Sequence, residues 1–184
     1  MRAIADDVAG AVQETRKEWG WYLALGIVLV LTGVFAIMSG TGATLASVIV
    51  VGAVLCVAGI AQVISAFMAR GAGHVVLLLL VGGLDVIVGW MLVQHPGAGA
   101  LTITLLLAAL FVFGGIFRFV SALWLQIPGY GWAAFSGIVS FILGIMLWAQ
   151  WPVSATWFIG FAVGLNFIFA GVSWSTIAFK LKNA

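Results

Sequence analysis

Charge is almost missing from this chain: only 7% of its 184 residues are Asp, Glu, Lys or Arg, whereas 65% are hydrophobic. A water-soluble domain of this size needs a charged shell over its core, and this sequence has none. Past position 18 the charges are Arg70, Asp85, Arg118, Lys180 and Lys182. A formal net charge of +2 with no basic stripe gives no footprint for nucleic acid. Cysteine is equally scarce. Cys56 stands alone inside an apolar run, so no intramolecular disulfide can form and the residue reads as a small packing element. The three prolines, Pro96, Pro128 and Pro152, all fall in breaks between apolar runs. The stretch from Met1 to Trp19 contains acids and lacks an early apolar core, so a cleaved signal peptide is not expected.

Enzyme signatures are missing too. His74 and His95 fall at opposite ends of apolar runs and cannot share a metal. An intramembrane serine protease needs a buried His, and an aspartyl one needs a second membrane Asp; neither is present. With no phosphate loop and no cofactor box, neither catalysis nor a cofactor is expected.

What the chain has is long apolar runs. A helix rising 1.5 Å per residue needs about 20 apolar residues to cross a hydrocarbon layer about 30 Å thick. Six segments qualify: residues 19–38, 43–69, 74–93, 100–124, 131–149 and 153–179, joined by short breaks at 39–42, 70–73, 94–99, 126–130 and 150–152. Lipid cannot satisfy open backbone groups, and a barrel's alternation is absent, so the expected fold is an all-α integral membrane protein of six transmembrane helices. Arg2, Arg16, Lys17, Arg70, Lys180 and Lys182 fall on one side of this arrangement, and the opposite loops hold no Lys or Arg. The positive-inside rule then puts both termini in the cytoplasm. Residues 1–18, with Ile4, Val8, Val12 and Thr15 on one face and charges between them, read as an amphipathic interfacial helix preceding a membrane domain over 19–184. Trp19, Trp21, Tyr22, Trp124, Tyr130, Trp132, Trp148 and Trp151 sit near span ends as an interfacial belt without a ligand role.

The chain also repeats itself. Gly26 and Gly33, Gly82 and Gly89, and Gly137 and Gly144 form pairs seven apart, and successive pairs are displaced by 56 and then 55 along the chain. Ala58-Gly59, Gly114-Gly115 and Ala170-Gly171 recur at a displacement of 56, as do Pro96 and Pro152. Three tandem helical hairpins follow, at about 19–70, 73–124 and 131–180, all with one orientation and related by a pseudo-symmetry axis along the membrane normal. A step of seven returns to nearly the same helix face, so each glycine pair is expected to mark a close-packing stripe.

The middle hairpin departs from its siblings. Leu29, Asp85 and Ser140 occupy one repeat-equivalent position, and Gln62, Arg118 and Trp174 another. A charge at mid-bilayer costs about 2.5–3.5 kcal/mol on insertion scales. Asp85 and Arg118 are therefore expected to face the interior and to pair across one hairpin. A proton or ion site at Asp85 and Arg118 is the functional alternative, and snorkelling of Arg118 to the surface the third reading. Gln62 and Asn166, the other intramembrane polar groups, read as interhelical hydrogen-bonding residues.

The hairpin repeats, the GGLDVIVGW segment at 82–90 and the GGIFRFVSALW segment at 114–124 resemble the HdeD-like family of bacterial acid-resistance membrane proteins, over about residues 19–180. The resemblance implies a six-span protein of the bacterial inner membrane linked to acid stress, and carries no catalytic residue. Three functions are compatible with the residues: a non-enzymatic stress protein acting through its bundle or a membrane-protein partner; a small-solute or proton permease using Asp85, Arg118, Gln62 and Asn166; and a structural subunit of a homo-oligomer. The lipid bilayer is the one partner all three require.

Overall fold

The structure is a computed structural model that describes residues 19–69, 71–125 and 130–183. The interfacial helix expected over residues 1–18 lies outside the described residues, as does Arg70. Six α-helices are present: α1 (Trp19–Met38), α2 (Gly40–Met68), α3 (Ala72–Gln94), α4 (Pro96–Leu125), α5 (Tyr130–Ala149) and α6 (Phe158–Asn183), with a 3-10 turn at Val153–Thr156 before α6. Among the described residues there is no strand. All six helices are long and apolar enough to cross a membrane. Large apolar side chains face outward along them, with Phe67 83% and Phe117 75% exposed. Water would not tolerate such a surface, and lipid favours it. The chain is a multi-pass membrane protein.

The helices extend further than hydropathy alone suggests. Breaks expected at 39–42 and 94–99 shrink to Ser39 and His95, because residues 40–42 and 96–99 are helical. Pro96 opens α4, where a missing N–H costs nothing and the fixed φ suits a first turn. The His95 N–H bonds back to the Met91 carbonyl at 2.9 Å and closes α3. The last span begins later than expected, since residues 153–156 are taken by the 3-10 turn. At the opposite end, the turn into α3 uses Gly71 at φ 100°, in the left-handed region that favours glycine. These are the His95 end and the Met68 end of the helices below.

The described chain divides into two compact units. Residues 40–159 form one, holding α2, α3, α4, α5 and the 3-10 turn; residues 19–39 and 160–183 form the other, in which α1 packs along α6. In that second unit Tyr22 stacks on Trp174 with ring centres 5.6 Å apart, and the Lys182 ammonium lies 4.8 Å over the Trp19 ring. The latter is a cation–π contact at a span end.

Candidate functional site

Three antiparallel seams hold the helices together, and each is lined by residues with little or no side chain. In the α2·α3 seam, a Cβ added to Gly59 would lie 2.6 Å from the Gly82 carbonyl oxygen, and one added to Gly89 would lie 2.5 Å from that of Gly52. In the α4·α5 seam, a Cβ on Gly115 would lie 2.7 Å from the Gly137 carbonyl oxygen, and one on Gly144 would lie 2.8 Å from that of Ala108. In the α1·α6 seam, Gly26 stands against Gly171 (2.8 Å) and Gly33 against Gly164 (2.5 Å) in the same sense. The reason is physical. Lipid is as apolar as a leucine side chain, so helices gain from association only where backbones come close enough for dispersion.

The partner stripe was open to a sequence argument. Gly52, Ala108 and Gly164 recur at a displacement of 56, as do Gly59, Gly115 and Gly171, and then Ala66, Ala122 and Ala178. Each even helix therefore carries Gly or Ala, Gly and Ala at steps of seven, and the three alanines are buried. Within each glycine doublet one member faces the seam and the other stands clear. A Cβ on Gly83 or Gly114 would meet nothing within 4 Å.

The seams do not join the helices of one hairpin. Each binds the second helix of one repeat to the first helix of the next, and α6 to α1. That shift overturns the expected pairing of Asp85 with Arg118. Asp85, near the middle of α3, accepts a 2.7 Å hydrogen bond from Gln62 Nε2 on α2. Arg118 on α4 points Nη1 to Ser140 Oγ on α5 at 3.5 Å, the outer limit of a hydrogen bond. The Ser140 hydroxyl itself donates to the Ser136 carbonyl at 2.9 Å. Among the described residues neither Asp85 nor Arg118 forms a salt bridge. The hairpin partners are separated because the smallest stripe of α3 faces α2, not α4.

The two contacts are one contact twice. Gln62 and Arg118 are 56 apart, and Asp85 and Ser140 are 55 apart, the same displacements that relate Gly59 to Gly115 and Gly82 to Gly137. Each polar pair flanks its glycine pair by three positions on both helices. In the third seam the corresponding positions hold Trp174 and Leu29, and the Trp174 ring goes to Tyr22 instead. Gln62, Asp85 and Ser140 are half-buried and Arg118 is exposed. Asn166 is exposed on α6 and joins neither contact. The Cys56 thiol donates weakly to the Val86 carbonyl at 3.7 Å within the α2·α3 seam.

The fold and seams thus define a multi-pass helical membrane protein assembled from copies of one packing unit. A family model agrees with that unit: the short repeat of unknown function, DUF308, matches residues 24–94 and again 80–149. The chain belongs to this family. The starts of the two matched segments are 56 apart and their ends 55 apart, and each segment contains one complete seam, α2·α3 in the first and α4·α5 in the second. No curated protein and no solved structure matches the chain.

Proposed function

We propose that this protein is a non-enzymatic acid-stress protein of the HdeD-like kind, set in a bacterial inner membrane with both termini in the cytoplasm, and that the Gln62–Asp85 pair is its acid-responsive element. The resemblance at 82–90 and 114–124 supports the physiological setting, and the charge bias of the loops supports the orientation. One observation carries the mechanism: a carboxyl near the middle of a membrane-spanning helix holds an amide rather than a cation. An ionised carboxylate at that level is costly, and protonation removes the charge. Gln62 serves both states, since its N–H donates to a carboxylate and its carbonyl accepts from a carboxylic acid. The helices packed against α3 are α2 and α4, and among their described residues the ionisable groups are Cys56 and Arg118. Gln62 can therefore stay hydrogen-bonded to Asp85 in either protonation state.

The test is survival of strong acid by cells lacking the gene and carrying either the wild-type protein or Asp85→Asn, at equal membrane levels. Asp85→Asn keeps an acceptor for Gln62 and removes the ionisable carboxyl, so it should fold normally and fail to protect. Absence of protection by the wild-type protein would end the acid-stress reading. Full protection by Asp85→Asn would end the role of the pair.

A further inference from the structure

In residues 40–159, helices α2 and α4 present equivalent faces that are buried at one end and more exposed towards the other. On α2 the face runs through Thr44, Val48, Leu55 and Gln62; on α4 it runs through Ala100, Thr104, Phe111 and Arg118, each member displaced by 56 from its counterpart. Steps of four, seven and seven keep each set within one arc of its helix. At the His95 end both faces are shut: Thr44 and Val48 are 1% exposed, Ala100 4% and Thr104 0%. There a Cβ on Gly99 of α4 would lie 2.9 Å from Val48 of α2, and the 3-10 turn borders a small half-open cavity of about 160 Å³ with Thr44 and Ala100. Towards the Met68 end the seal fails. Leu55, Phe111 and Gln62 are half-buried, and Gly114 and Arg118 are exposed.

Arg118 thus continues the face that seals the unit and not the face that lipid wets, which carries Phe113 and Phe117. Its guanidinium reaches the level of Ser140, the repeat equivalent of Asp85. An acid and a base therefore stand at repeat-equivalent levels of the two helix pairs. Asp85 is held by an amide and Arg118 by a hydroxyl, so among the described residues neither has a counter-charge. A singly charged ion would satisfy one wall and leave the other uncompensated.

We infer that the space between the α2·α3 and α4·α5 pairs is a vestibule open at the Met68 end that binds a small zwitterion, its ammonium on Asp85 with Gln62 and its carboxylate on Arg118 with Ser140. The inference shares Asp85 with the acid-stress reading but not its test: binding can fail while acid survival still depends on Asp85, and the reverse.

Two measurements on the full chain in lipid nanodiscs decide it. The first is calorimetric titration with glycine and its longer ω-amino homologues, against acetate and methylammonium as single-charge controls. At least one zwitterion should bind, the controls should not, and Asp85→Asn and Arg118→Gln should each weaken binding about tenfold or more. No binding by any zwitterion, equal binding of a control, or unchanged binding in both variants overturns the inference. The second keeps both charges. In a Cys56→Ala background, Gly114→Cys places a thiol in open space one turn from Arg118, and Phe113→Cys places one about 100° round the helix. A water-soluble thiol reagent should modify position 114 faster than position 113, and the bound zwitterion should slow it. A rate at 114 no higher than at 113 overturns the vestibule.

Discussion

The α2·α3 and α4·α5 seams share one backbone geometry and carry opposite chemistry. Both bring glycine to within backbone contact at matched positions, and both place a polar pair three positions beyond. The first pair is an amide on a carboxyl at 2.7 Å, half-buried; the second is a guanidinium reaching a hydroxyl at 3.5 Å from an exposed position. The comparison separates two jobs. The small-residue stripes set how the helices dock, and that part is held constant. The flanking pair is free of the docking constraint, so it can be an amide with an acid in one seam, a base with a hydroxyl in the next and an aromatic ring with a leucine in the third.

The largest effect should come from breaking the constant part. Gly59→Leu drives a side chain into the Gly82 carbonyl, which is backbone and cannot turn aside, so the helices must separate. A loss of about 3 kcal/mol or more is expected, seen as a large fall in thermal unfolding temperature in detergent. Gly114→Leu, on the clear side of its doublet, should leave that temperature nearly unchanged. Equal losses in the two variants would show that the seams are not what holds the pairs.

A smaller effect should come from the variable part, and it should be unequal between the seams. Gln62→Leu removes the donor from a half-buried carboxyl and should cost about 1–3 kcal/mol. Ser140→Ala removes a contact at the limit of hydrogen bonding and a local bond to the Ser136 carbonyl of its own helix, and should change stability by less than about 0.5 kcal/mol. Chemical unfolding of both variants measures the difference, and equal losses would show that the two polar pairs contribute alike.

The smallest effect concerns the sealed end. The Thr104 hydroxyl is fully buried and has no hydrogen-bond partner among the described residues. Thr104→Val keeps the shape and removes the orphaned group, so stability should rise by up to about 1 kcal/mol. A clear loss on that substitution would mean that the hydroxyl has a use at this end which the unpaired arrangement does not show.

Much of this was legible in the chain. Six spans follow from apolar run lengths, and the period of 56 follows from the glycines, because membrane helices need length to cross and small residues to touch. The helix starts at Gly40 and Pro96 were less legible, since Gly and Pro read as breaks although Pro is at home in a first turn. The partner stripes through Gly52, Ala108 and Gly164 had a signal, the same displacement of 56, but it was diluted among 24 glycines.

By itself, the sequence determined that this protein lies in a membrane, how many times it crosses, and which positions correspond between its repeats. Those properties depend on composition and on distance along the chain. Which helix each stripe meets was decided only in three dimensions. A stripe with a step of seven defines a face, but any facing helix with a matching stripe satisfies it equally, and sequence neighbours hold no advantage. The tertiary structure chose the next repeat over the same hairpin, and that choice gave Asp85 an amide and Arg118 a hydroxyl in place of each other.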